Sequence, residues 1–277
     1  MTTALKADKY RDSIITMVDV MGFKHLIQSE KDPQKILQRL HALRRHALGD
    51  EELASSFESR SYHFSDTLIR VLPLDSKVNK RAPMGLLFYE LIDLVHAQME
   101  LVQHRVLLRG GLTIGPVAYD ETALFGPGVI SAYELESQLA LYPRIIVHPT
   151  TLGALETDPR IRKDTHTVEE ESGSVRGCLR LDADGFWFVD YLKAAEDECD
   201  EPEGYVDLLK DHKELIDSEL ANLKPGGREA QKILWLANYH NKVIEELRTA
   251  KNKAFFDQLL VTPPGPTVPV LAEGDED

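Results

Sequence analysis

The chain has 277 residues, 32 Lys and Arg against 46 Asp and Glu, and a formal net charge of −14. A chain this long buries roughly 75% of the surface its unfolded form exposes, so it needs no disulfide or metal staple, and its 43% hydrophobic and 28% charged residues exclude a disordered composition. Two cysteines, Cys178 and Cys199, make neither a disulfide framework nor a C-x-x-C zinc motif; the acidity disfavours nucleic acid as a partner, no apolar run reaches the ~18 residues of a membrane span, and MTTALKADKYRDS lacks the apolar core of a signal peptide, so a cytoplasmic location is expected.

In chain order, RDSIITMVDV (11–20) reads as a buried strand closed by Met21-Gly22. GFKHLIQ follows, and then Asp32-Pro33, an N-cap with Pro at the first helical position, ahead of Ile36, Leu37, Leu40, Leu43 and Ala47 at helical spacing. Residues 57–74 alternate like two short strands joined at Ser65-Asp66. Residues 84–104 carry one apolar helical stripe from Met84 to Val102, and 106–119 reads as a strand with a glycine pair inside it. Helix is expected at about 128–141, a strand at 143–149 and a hairpin over 179–191. The acidic runs at 168–171 and 195–203 read as solvated loops or linkers. Two helices follow, about 204–223 and 228–259, separated by Lys224-Pro225-Gly226-Gly227, and the proline-rich acidic end reads as a flexible tail. The order of elements predicts an α+β fold of ferredoxin-like type, a mixed or antiparallel sheet with helices packed on it, plus C-terminal helices. The expected organisation is a body over 1–195, a helical extension over 196–260 and a tail over 261–277.

Two carboxylates stand out. Asp19 ends an apolar strand, where burial costs several kcal/mol unless the group is paired or meets a cation. Asp66 interrupts a second apolar stretch at the middle of the hairpin. In a ferredoxin-like sheet the first strand lies beside that hairpin, so both carboxylates could grip the same pair of divalent ions. After Asp19, Gly22 permits a tight turn whose backbone N–H groups could meet phosphate oxygens. The plainer alternatives are a helix cap for Asp19 and an ordinary turn residue for Asp66.

DVMGF (19–23), HFSD (63–66), RGGLTIGPV (109–117) and ALFGPGVISAYELE (123–136) resemble, in order and spacing, the core motifs of class III nucleotidyl cyclases. The likeness covers roughly residues 10–190, and its strength lies in the ordered set of four short motifs. It implies a homodimer with interfacial active sites, a nucleoside triphosphate, two divalent ions (Mg²⁺ or Mn²⁺), and attack of the 3′-hydroxyl on the α-phosphate. By the resemblance, Asp19 and Asp66 are metal ligands, with the Val20 carbonyl a helper, and the Gly22–Phe23 backbone cradles the triphosphate. Arg109 is a catalytic candidate. The positions that read a purine base fall on Tyr62 and Ala123, which match neither the adenine nor the guanine pattern. A bulky Tyr62 favours a smaller base, and the chain then resembles the pyrimidine cyclases of bacterial anti-phage signalling (Pycsar). That implies UTP as preferred substrate and cUMP as product, CTP and cCMP as the alternative, and a separate effector that senses the cyclic nucleotide. Tyr62 as a core or dimer-face aromatic is the plainer alternative. The family's transition-state Asn and Arg fall on Ile130 and Glu134; Arg70, Arg109, Lys232 and Lys242 are candidate replacements. The same departures motivate a rival reading, a catalytically silent cyclase-like dimer that binds nucleotide or protein.

Overall fold

A computed structural model describes residues 9–48, 58–76, 82–223 and 226–263. The expectation for the tail beyond residue 263 lies outside the described residues, as does the Lys224-Pro225 break. The chain divides into two compact units, residues 1–208 and 209–277.

The first unit is built on one mixed sheet. Its strands are β1 (Arg11–Val20), β2 (Arg60–Phe64), β3 (Thr67–Pro73), β4 (Leu108–Tyr119), β5 (Leu124–Phe125), β6 (Ile145–Val147), β7 (Leu179–Leu181) and β8 (Trp187–Val189). The order across the sheet is β2-β3-β1-β4-β6-β8-β7, with β5 paired to β4. β1 runs antiparallel to both β3 and β4, and β4 runs parallel to β6. The β2-β3-β1-β4 set, with helices between β1 and β2 and between β3 and β4, is the split βαβ arrangement expected from the sequence. The fold is α+β, with helices packed on a mixed sheet.

Alternation along β1 divides its side chains between two buried faces. Thr16 and Val18 face Leu43 of α2 (Pro33–Leu48) and Leu94 and Ala97 of α3 (Leu86–Gln103) around a small cavity. Ile15 and Met17 face the other way, and cluster there with Val71, Val117 and Ala132. Ala132 belongs to α4 (Pro127–Glu134), which continues as a π-helical turn over Leu135–Leu139. A strand covered on both faces reads as a near-continuous apolar run, which is why Ile14–Val18 holds only Thr16 as a polar residue.

Several expectations need correction. The acidic run at 168–171 is not a loop: it opens α6 (Val168–Gly177), where the Thr167 hydroxyl and the Glu170 side chain form a reciprocal capping box. Glu171 in that run is fully buried and accepts hydrogen bonds from the backbone N–H groups of Gly85 and Lys163. The run at 195–203 is partly helical too, since α7 (Tyr191–Glu198) covers its start. α5 (Pro149–Thr157) lies where no helix was expected.

The second unit holds most of α8 (Pro202–Asn222), then α9 (Arg228–Leu247) and the short α10 (Lys253–Asp257). The single long helix expected over 228–259 is thus two, because Arg248 turns extended at the end of α9. Among the described residues no helix is long and apolar enough to cross a membrane.

Candidate functional site

Asp19 is the second-last residue of β1, on the face that carries Ile15 and Met17. In register it stands opposite Thr67 of β3 on one side and Arg109 of β4 on the other. The β2–β3 hairpin turns at Ser65-Asp66, with Ser65 at φ 57°. That tight turn brings Asp66 alongside Asp19, and the two carboxyl groups are close enough to share a hydrogen bond.

The cluster is under electrostatic tension. Burial, first of all, and then the Asp66 hydrogen bond and charge push the Asp19 carboxyl up from 3.8 to about 6, against the pull of Arg109. Thr67 donates its hydroxyl to Asp19 Oδ1 at 3.4 Å, and Arg109 Nη2 reaches Oδ2 at 3.5 Å. Both contacts are long for hydrogen bonds. A third carboxylate, Glu136 on the π-helical turn, takes Arg109 Nη2 at 2.7 Å. Its carboxyl is also raised, by burial first and by the charge of Asp66, with Arg109 opposing.

The remaining candidates are distributed around this cluster. Val20 is buried and pairs with Leu108, so it could offer only its backbone. Gly22 adopts the left-handed conformation, φ 77°, at the head of α1 (Phe23–Ser29), whose first turn no side chain caps. Phe23 is the first residue of that helix. Tyr62 lies in β2 opposite Ile69 and packs against the Ile15–Met17 cluster, while its hydroxyl donates to the Asp120 carbonyl at 2.6 Å. Ala123 is exposed, and its N–H donates to the Asp120 carboxylate at 2.8 Å. Tyr62 and Ala123, 61 positions apart in sequence, therefore meet at one turn around Asp120.

Arg70 does not belong to the cluster. It is opposite Thr16 in register, on the far face of the sheet, and forms ion pairs with Glu90 and Asp93 of α3. Lys232 and Lys242 lie in the second unit, where Lys232 pairs with Glu229. Ile130 and Glu134 are exposed on α4. Glu136 is the residue that sequence reasoning missed as a participant. It closes the ALFGPGVISAYELE motif, so a role for that final carboxylate could have been asked of the sequence.

Among the described residues no three His, Cys, Asp or Glu side chains form a set that could hold a metal ion by themselves. A carboxylate pair is the donor set of a hard cation that completes its shell with water and phosphate oxygens.

No protein-family model matches the sequence, and no curated protein matches it. Solved structures similar to it include three that match at low identity. One structure of a bacterial light-regulated adenylyl cyclase is 11% identical with TM-score 0.41, covering 61% of this chain and 57% of that one. Another such structure is 17% identical with TM-score 0.34, covering 50% and 43%. A class III adenylyl cyclase-like ATP-binding protein from Pseudomonas aeruginosa is 10% identical with TM-score 0.39, covering 60% and 40%. The match thus spans between 40% and 57% of the length of these structures.

Proposed function

We propose that the chain is a nucleotidyl cyclase that converts a pyrimidine nucleoside triphosphate to its 3′,5′-cyclic monophosphate and pyrophosphate. The observation that carries the reading is the meeting of Asp19 and Asp66. Two carboxylates from separate elements share a partly buried spot without a full counter-charge, and that arrangement costs folding energy unless a cation joins it. The donor set fits Mg²⁺ or Mn²⁺: two hard oxygen ligands, partly open to solvent, beside a backbone turn.

In this reading Asp19 and Asp66 hold the ions, with the Val20 carbonyl as a further oxygen. Chemistry supplied by the bound ions is activation of the 3′-hydroxyl and neutralisation of the leaving pyrophosphate. Gly22 and Phe23 present backbone N–H groups to the triphosphate. Arg109 places a positive charge beside the carboxylate pair, where negative charge develops on the phosphate. Tyr62 fills the base pocket and shortens it against a purine, with Ala123 at the same turn leaving room for one ring. The exposed apolar side chains of Phe64, Ile130 and Tyr133, 84%, 61% and 55% accessible, support a homodimer formed over this face. The cyclic product would act as a second messenger in anti-phage defence, read by a separate effector.

UTP is the substrate favoured by the sequence. One observation favours CTP as a second reading. The Tyr62 hydroxyl gives its proton to the Asp120 carbonyl, so toward a base it offers a lone pair. A lone pair suits the amino group of cytosine better than the carbonyl of uracil.

The test is direct. Purified protein is incubated with each of ATP, GTP, CTP and UTP plus Mn²⁺ or Mg²⁺, and products are separated by mass. A cyclic pyrimidine monophosphate from wild type, absent in Asp19→Ala and Asp66→Ala, is the expected result. A purine product would overturn the base assignment, and full activity in either variant would overturn the metal assignment. Binding of triphosphate without turnover at any metal concentration would favour the silent dimer.

A further inference from the structure

The position of Arg109 is odd for a residue directly across from Asp19. The β1–β4 register sets the two side by side, and an arginine facing a carboxylate ordinarily closes into a short, often two-pronged ion pair. Here the guanidinium is shared between two carboxylates, and its contact with Asp19 is the longer one. Its Nη2 is 2.7 Å from Glu136 Oε1 and 3.5 Å from Asp19 Oδ2.

The cause lies in Glu136. Its side chain is 9% accessible against 20% for Asp19, and a more buried carboxylate attracts a nearby cation more strongly. The backbone does not let it retreat. Glu136 sits in the π-helical turn after α4, and Leu135 beside it is pressed onto β4: a Cβ at Gly111 would lie 2.2 Å from the Leu135 Cβ. Three carboxylates share one guanidinium in this cluster. With Arg109 drawn closer to Glu136 than to Asp19, the Asp19–Asp66 pair is only partly neutralised, which leaves negative charge for a hard divalent ion.

We propose that Glu136 is a positioning residue that holds Arg109 off Asp19 and thereby keeps the Asp19–Asp66 pair open to a divalent cation. The inference rests on the reading of Asp19 and Asp66 as metal ligands. Removing the Glu136 charge lets Arg109 close on Asp19, and an internal ion pair then competes with the metal.

The test measures metal binding alone, on the full chain without nucleotide, by electron paramagnetic resonance titration with Mn²⁺. Asp19→Asn is the control for the underlying reading: binding as tight as wild type would remove Asp19 from the ligand set and the inference with it. Given loss in that control, Glu136→Gln is expected to weaken Mn²⁺ at least about 10-fold. The double variant Arg109→Gln, Glu136→Gln should then bind within about 3-fold of Arg109→Gln alone. A merely structural Glu136 predicts the opposite, a double variant no better than Glu136→Gln. That outcome, or unchanged affinity in a folded Glu136→Gln, would overturn the inference while leaving the metal reading intact. Where Glu136→Gln loses its circular dichroism spectrum, Glu136→Asp takes its place: it keeps the charge with a shorter reach. It should give a smaller loss that Arg109→Gln relieves, and a loss that Arg109→Gln leaves unrelieved would overturn the inference.

Discussion

Asp19 works against folding when it is ionised. Its carboxyl is held at about 6 rather than 3.8, so the folded state takes up a proton more readily than the unfolded chain. Stability therefore falls as pH rises from 3.8 through 6, and at pH 7 the full cost is present. In chelator-treated protein at pH 7, Asp19→Asn is expected to raise stability by about 2 kcal/mol, read as a higher denaturation midpoint. The same variant should lose product formation by roughly 1000-fold, the effect of about 4 kcal/mol at the transition state. A variant neither more stable nor less active would contradict both roles. Asp19 was legible in the sequence because a carboxylate in VDVMGF breaks an otherwise apolar strand, and Asp66 because a hairpin beside that strand puts its turn nearby. The partnership of Arg109 with Glu136 was not legible. It joins residues 27 positions apart in sequence through the cross-strand register and a helical irregularity, neither of which leaves a local pattern.

At the scale of elements, close backbone approach decides where Glu136 can be. Gly111→Ala is expected to cost about 2 kcal/mol, since an added methyl has no room beside Leu135. Gly153→Ala in α5 meets nothing within 4 Å and should be neutral or slightly stabilising. Urea titrations of the two variants side by side check the contrast, and equal stabilities would deny the contact. The second unit carries its own titration. His212 and His240 are fully buried and stack with Nδ1 atoms 3.0 Å apart, and His240 Nε2 donates to the Leu259 carbonyl at 2.9 Å. Burial keeps both rings neutral, so with Nε2 donating, His240 Nδ1 is the acceptor and His212 Nδ1 the donor. Burial holds His240 down at about 4, against an ordinary 6.5. The folded state binds the proton less readily than the unfolded, so this stability is complete above pH 6.5 and lost as pH falls through about 4. A loss of about 3 kcal/mol over that range is expected, and His240→Gln should flatten the slope. Among the helices, α3 was plain from its apolar stripe. α6 was hidden by its acid-rich start, although Thr-x-x-Glu at 167–170 is a capping signal that outranks charge density as evidence for a helix end. The buried Glu171 could not be read locally, because its donors include Gly85, 86 positions upstream.

At the scale of the whole molecule, the Asp19 face and its opposite differ in what they leave uncovered. α2 and α3 cover one side, whereas Phe64 and the outer side of α4 leave large apolar groups in water on the other. Sedimentation equilibrium should therefore find a dimer, and Ile130→Glu should shift it toward monomer with loss of product and an unchanged fold. A monomeric wild type with full activity would exclude the interfacial reading. The central place of β1 has another consequence, in time rather than space. β1 is made first, yet Ile15 finds its partners only at Val71 and Thr113. Until the ribosome has delivered β4, this central strand with its apolar run Ile14–Val18 has an unpaired edge. Such distant pairings make folding slow and leave the nascent chain exposed to aggregation. Expression that is sensitive to temperature and to chaperone supply follows from the same register that builds the carboxylate pair.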